Sequence, residues 1–282
     1  MPSASLISAR MGAIKMFEAF FNFTNTPFQR DIPPNSLYIT PQAKALQDRL
    51  AHGVKNRYFL LVTGDSGSGK TTAIRHFMAG LDASRTVALY VSESSLTPRN
   101  FYYDVLNQLG LTPRFYRGDA KRQLVKEIQA LSDDRKLPVI IIDEAHLCDM
   151  EMLTEIRFLL NFDMDSRSPM SLILVGQSEI RDILKKQVCE AIAQRIDLRC
   201  HIPVLDRSQT ADYIAAHLVY AAGSDTNVFT DAAITAIYDY SDGLPRKINR
   251  LASLCLMHAA QTGKRFVDDH MVQLIIDGEL SW

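Results

Sequence analysis

Hydrophobic and polar positions follow two different periods along this chain, and the period changes near Leu205. Before that point, short unbroken apolar runs at residues 58–63, 86–91, 138–142 and 170–176 are separated by segments of helical spacing at 72–78, 98–109, 119–131 and 151–160. A continuous β-branched run such as Val139-Ile140-Ile141-Ile142 suits a central parallel strand covered on both faces. Strands alternating with helices predict an α/β fold with a doubly wound parallel sheet. Beyond Leu205 the strand signal vanishes, and residues 208–222, 231–241, 245–263 and 268–276 all carry helical periodicity. Asp206 and Thr230 stand where N-caps belong. The pattern parses into a disordered lead-in (1–15), an α/β domain with an N-terminal aromatic segment (16–205), and a small all-helical lid (206–282).

Composition narrows the class. The 282 residues suffice for one large or two smaller domains. With 31 basic against 32 acidic residues, net charge gives no support for nucleic-acid binding, although a local basic patch remains compatible with it. Cys148, Cys189, Cys200 and Cys255 form no C-x-x-C pair and no metal spacing, which predicts reduced thiols and a cytoplasmic location. No run approaches the roughly 18 apolar residues that span a membrane, and the first fifteen residues lack the apolar core of a signal peptide.

Candidate chemistry begins directly after the first strand. Gly64-Asp65-Ser66-Gly67-Ser68-Gly69-Lys70-Thr71 fits G-x-x-x-x-G-K-[ST], a phosphate-binding loop, and Thr72 opens the following helix. Glycines let successive N–H groups turn inward around phosphates, and the helix N-terminus adds partial positive charge. Lys70 is placed to reach the β- and γ-phosphates of ATP, and the Thr71 hydroxyl to ligate Mg²⁺. The apolar run 138–142 ends in Asp143-Glu144, at the carboxyl end of its strand. Asp143 is placed to hold Mg²⁺ through water and Glu144 to polarise the attacking water.

Further segments carry a family resemblance. These are 16–21 leading to Thr26-Pro27-Phe28, the strand end Leu174-Val175-Gly176-Gln177, Gln194-Arg195-Ile196, and Ser241-Asp242-Gly243-Leu244-Pro245-Arg246-Lys247-Ile248-Asn249. In order and spacing the chain resembles P-loop AAA+ ATPases of the ExeA-like group, which includes a secretion-associated ATPase and the transposon accessory ATPases of the TnsC and MuB type. The resemblance implies ATP hydrolysis, with Gln177 orienting water against the γ-phosphate and Arg246 reporting phosphate to the lid. It implies that Phe28 lies near the adenine. Arg195 becomes a candidate finger acting on a neighbouring subunit's nucleotide.

The resemblance also implies partners. The secretion members carry a transmembrane helix and an extension after the ATPase module; this sequence carries neither, which favours the transposition side. The expectation is an ATP-dependent homo-oligomer, ring or helical filament, on duplex DNA bound without sequence preference. A transposase and a target-selection protein are its expected partners. Arg99, Asn100, Arg117 and Lys121, with Arg114 and Arg122 nearby, flank two helix starts and are the expected phosphate contacts. The alternative is an ATPase accessory to an envelope or secretion complex.

Overall fold

The computed structural model describes residues 17–93, 96–160, 168–223 and 227–280. The expected lead-in (1–15) lies outside the described residues. Contacts divide the chain into two compact units: Pro41–Pro203, and the residues up to Thr40 together with those from Val204 onward.

The first unit is an α/β layer structure. Its elements run α1 (Pro41–Lys55), β1 (Phe59–Gly64), α2 (Lys70–Ala79), β2 (Thr86–Val91), α3 (Pro98–Gln108), α4 (Arg117–Asp133) and β3 (Leu137–Ile142). A 3₁₀ turn (Ala145–Leu147), α5 (Met150–Leu159), β4 (Ser171–Gly176), α6 (Ile180–Leu184), α7 (Glu190–Ala193) and β5 (Leu198–Ile202) complete it. The five strands are all parallel, in the order β2-β3-β4-β1-β5.

Successive side chains of a strand point to opposite faces, and both faces here are covered. Phe59, Leu61, Ile140, Ile142, Leu172 and Leu174 join one core with α3, α4 and α5. Leu60, Val62, Val139, Ile141, Ile173 and Val175 join the other with α1 and α2. The register pairs Thr63 with Gly176 and Ile142 with Leu174. Gly64, Asp143 and Gln177 therefore emerge together at the carboxyl edge of three neighbouring strands.

The second unit is helical: α8 (Arg207–Ala222), α9 (Asp231–Ser241), α10 (Pro245–Thr262) and α11 (Asp269–Ile275). Asp206 and Gln209 form a reciprocal capping box on α8, and Thr230 accepts from Ala233 N at the start of α9. Gly243 has φ of 72°, and a Cβ there would sit 1.8 Å from the Leu205 carbonyl oxygen. Glycine alone permits this approach, in which Leu205 N donates to Gly243 O at 3.0 Å.

The aromatic segment belongs to this helical unit, where the sequence pattern assigned it to the α/β domain. Phe17, Phe21, Phe23 and Phe28 share a core with Leu218, Ala221, Ile237 and Leu256. Thr24 N and Asn25 N both donate to Ala221 O at the end of α8, and Arg265 lies over the Phe20 ring. The periodicity of α8–α11 reveals their apolar faces but not what covers them. Here phenylalanines from the far end of the chain cover part of them.

Candidate functional site

The loop between β1 and α2 is shaped by glycine. Gly67 and Gly69 have φ of 85° and 93°, left-handed values that side chains disfavour. At Gly64 a Cβ would meet Ser68 Oγ at 2.7 Å and Ile202 O at 3.0 Å, so the loop closes over the end of β5 only without a side chain. Gly69 caps α2 and has no side-chain hydrogen bond to the first turn. The helix thus presents its N–H groups and the positive end of its dipole to whatever sits in the loop. Lys70 is buried, its Nζ donating to Gly64 O at 2.9 Å and Asp65 O at 3.0 Å. Ser68 Oγ is buried without a hydrogen-bond partner. Such a polar atom, beside a lysine and a helix start, fits a phosphate.

Thr71, the second residue of α2, reaches across to the end of β3. Its hydroxyl donates to Asp143 Oδ2 at 2.9 Å. Asp143 is 3% exposed and also accepts from the Tyr90 hydroxyl at 2.7 Å and from Glu144 N at 2.8 Å. Burial, followed by the hydrogen bond to Asp143, raises the Tyr90 phenol far above its ordinary pKa, so it remains a donor. Tyr90 was invisible to motif reading because only the pairing of β2 with β3 brings it there. Among the described residues no group of three or more His, Cys, Asp or Glu can hold a metal. One hydroxyl and one carboxylate, completed by phosphate oxygens and water, are a donor set that suits Mg²⁺. The residues fit that ion.

Glu144 follows with φ of 53°, left-handed for a residue that rarely adopts it. Its Oε2 is buried without a hydrogen bond and lies 3.5 Å from His146 Nδ1. Gln177, directly after β4, places its side-chain nitrogen 2.9 Å from His146 Nε2. Ser178 Oγ donates to Asp65 Oδ1 at 3.0 Å and ties this strand end to the loop. Lys70, Thr71, Asp143, Glu144 and Gln177 thus lie together at one edge of the sheet.

The other candidates lie elsewhere. Arg195 Nη1 donates to Arg157 O near the C-terminal end of α5 at 2.9 Å, a contact within its own chain. Arg246 is exposed in the first turn of α10, in the helical unit. Phe28 is also in that unit but is buried. Its ring stacks on His217 (centroids 4.9 Å apart, 12° between planes) and meets Phe229 edge-on. One face of the Phe28 ring, expected near the adenine, is here taken by the His217 imidazole.

The basic candidates divide as well. Arg99 is exposed, its guanidinium 5.2 Å from the ring centres of both Tyr103 and Phe115. The exposed Asn100 lies in the first turn of α3, its N–H donating to the Thr97 cap. Arg117 forms ion pairs with Glu151 and Glu155, and Lys121 pairs with Glu155 at 2.8 Å. Glu155 is buried and also accepts from the Tyr102 hydroxyl. Burial pushes its carboxyl up, but hydrogen bonds from Lys121, Tyr102 and Arg117 outweigh this and hold it at about 2. Arg117 and Lys121, expected to contact DNA phosphates, are here ion-paired with Glu151 and Glu155.

Residues 52–184 match the family described as AAA domain. Drosophila ORC bound to DNA has a TM-score of 0.72 at 16% identity, covering 96% of this chain and 66% of that one. The fold is that of the AAA+ ATPases. The ORC2 protein of Aeropyrum pernix, in ADPNP and ADP complexes, gives 0.65 at 15% identity over 90% of this chain and 72% of that one. At such identities the likeness concerns the AAA+ fold alone. In sequence, the chain is 28% identical over 254 residues to General secretion pathway protein A of Aeromonas hydrophila. That alignment covers 88% of this chain and 46% of the relative, so the chain spans about half its length. No helix among the described residues is long and apolar enough to cross a membrane.

Proposed function

We propose that this chain is an ATP-hydrolysing AAA+ ATPase of the ExeA-like group. The observation that carries the reading is the convergence of Thr71, Asp143, Glu144 and Gln177 beside the phosphate loop. In this reading the loop N–H groups and Lys70 bind the phosphates, while Thr71 and Asp143 hold Mg²⁺. Bound there, the ion draws charge from the phosphate oxygens. Glu144 accepts a proton from the attacking water, and Gln177 fixes that water's direction. Phosphoryl transfer needs little beyond such positioning and charge stabilisation. Lys70→Ala should lose nucleotide binding. Glu144→Gln should bind as the parent does and lose turnover, because an amide cannot take the proton. If Glu144→Gln hydrolyses ATP at the parental rate, the assignment is wrong.

For the partner, we carry forward an oligomer on duplex DNA that regulates transposition. The AAA+ fold shared with an ORC structure bound to DNA supports the DNA part of this reading. The surface that remains suitable is Arg99 with the exposed Arg114, Phe115 and Tyr116, since Arg117 and Lys121 are neutralised. Similarity to the Aeromonas secretion protein supports the second reading, an accessory to a secretion complex. Filter retention of duplex DNA with ATP, titrated across salt, separates the two. Affinity that falls steeply with salt supports the first, and no retention at low salt leaves the second.

A trans-acting Arg195 must first leave the Arg157 carbonyl. ATPase activity per subunit should then rise with protein concentration. Arg195→Ala should lower that rise more than it lowers ATP affinity.

A further inference from the structure

His146 occupies the space between the two side chains that handle water in the proposed reaction. Its ring lies between Glu144, whose Oε2 is 3.5 Å from Nδ1, and Gln177, whose side-chain amide is 2.9 Å from Nε2. The Gln177 backbone N–H also points at Nδ1, at 3.4 Å. The ring is largely enclosed, with a side chain 11% exposed, and its backbone is held in the 3₁₀ turn directly behind Glu144. A Cβ on Gly176 would crowd His146 N at 3.2 Å, so the end of β4 is cut back where this turn passes.

A neutral imidazole has one donor and one acceptor nitrogen. Nδ1 faces two incompatible neighbours, a carboxylate oxygen that needs a donor and a backbone N–H that needs an acceptor. With the proton on Nδ1, the ring satisfies the orphaned Glu144 Oε2, and Nε2 must accept from the Gln177 amide nitrogen. With the proton on Nε2, Nδ1 accepts from Gln177 N, Glu144 Oε2 is released, and Gln177 must turn its carbonyl oxygen to the ring. The amide nitrogen of Gln177 then faces outward as a donor.

We propose that His146 is a positioning residue that couples Glu144 to Gln177 through its tautomer. One arrangement occupies the buried Glu144 Oε2 with the ring N–H. The other frees that oxygen and at the same time turns the amide donors of Gln177 outward, to where the attacking water is directed. The inference rests on the ATPase reading for its consequence, but the coupling itself is a property of the resting protein.

Two measurements on the full chain test it. Nitrogen-15 spectra of labelled histidine, with the His146 signal assigned by its loss in His146→Gln, report the tautomer without any nucleotide. Glu144→Gln and Gln177→Ala should each shift the Nδ1–H to Nε2–H ratio of His146. A ratio unmoved by both variants overturns the coupling, whether or not the protein hydrolyses ATP. In turnover assays, His146→Ala should lower kcat about 10- to 100-fold, the usual range for residues that orient an active-site group. Affinity for a slowly hydrolysed ATP analogue should stay within about threefold. The double variant His146→Ala, Gln177→Ala should be no slower than the worse single variant, because both break one link. His146→Gln, whose amide reaches the position of Nε2, should recover part of the rate. Multiplicative single effects, or affinity lost in step with rate, reject the proposal. A parental protein that fails to hydrolyse ATP rejects the ATPase reading instead, and the spectra still decide the coupling.

Discussion

Glu144 carries its carboxylate on a backbone that an L-residue enters at a cost of about 1–2 kcal/mol. Replacement by glycine removes that strain together with the base. Glu144→Gly should therefore unfold in urea with stability raised by roughly 1 kcal/mol at unchanged m-value, while turnover is lost. Lower stability would mean that the contact with His146 outweighs the backbone term. A second residue ties stability to pH. His217 is buried, with Phe28 N donating to its Nδ1 at 3.0 Å, and burial lowers its pKa to about 4. Between the unfolded value near 6.5 and about 4, the unfolded chain binds more protons, so stability present above pH 6.5 is lost as pH falls. The loss between pH 7 and pH 5 should be about 2 kcal/mol. His217→Asn, which keeps an acceptor near Nδ1 but does not titrate there, should lose less over the same interval. Equal losses in the two proteins would assign the effect to other groups.

At the scale of elements, what could be read from sequence divides by how far apart the interacting residues lie. β1 to β4 announce themselves because burial on both faces demands uninterrupted apolar runs. β5 did not, because Arg199 and His201 interrupt Leu198, Cys200 and Ile202 on an edge strand with one neighbour. α1 passed unread although Leu46, Leu50 and Val54 recur every four residues. The phosphate loop and Asp143-Glu144 are contiguous and were legible. Tyr90 and the contact of His146 with Gln177 depend on strand order, which no local pattern encodes. Arg117 and Lys121 were visible as cations, whereas Glu155, on a different helix, was not visible as their partner. That cluster joins α3, α4 and α5 through Tyr102, Arg117, Lys121 and Glu155. Removing both cations leaves a buried carboxylate unpaired, and the double variant Arg117→Ala, Lys121→Ala should lose about 3–5 kcal/mol in denaturation. Adding Glu155→Met should restore part of it. If the pair of alanines costs nothing, the cluster is a surface feature and both cations return to the DNA question.

On the scale of the molecule, the helical unit is assembled from two stretches of chain with the α/β unit inserted between them. A fragment spanning 41–203 holds both sheet cores and should unfold cooperatively by itself. A fragment spanning 204–282 lacks Phe17, Phe21, Phe23 and Phe28, so it should bind a hydrophobic dye and melt without a sharp transition. Supplying residues 17–40 as a separate peptide should suppress dye binding. Sharp melting of the lone fragment would show the aromatic segment to be dispensable to that core.

The same insertion imposes a timetable during synthesis. The five phenylalanines from Phe17 to Phe28 leave the ribosome well before the helices that bury them. At 5–20 residues per second the interval is roughly 10–50 s, long enough for the intervening sheet to close. During that interval the nascent chain carries a bare aromatic segment, a natural site for a chaperone to grip and for aggregation when none arrives.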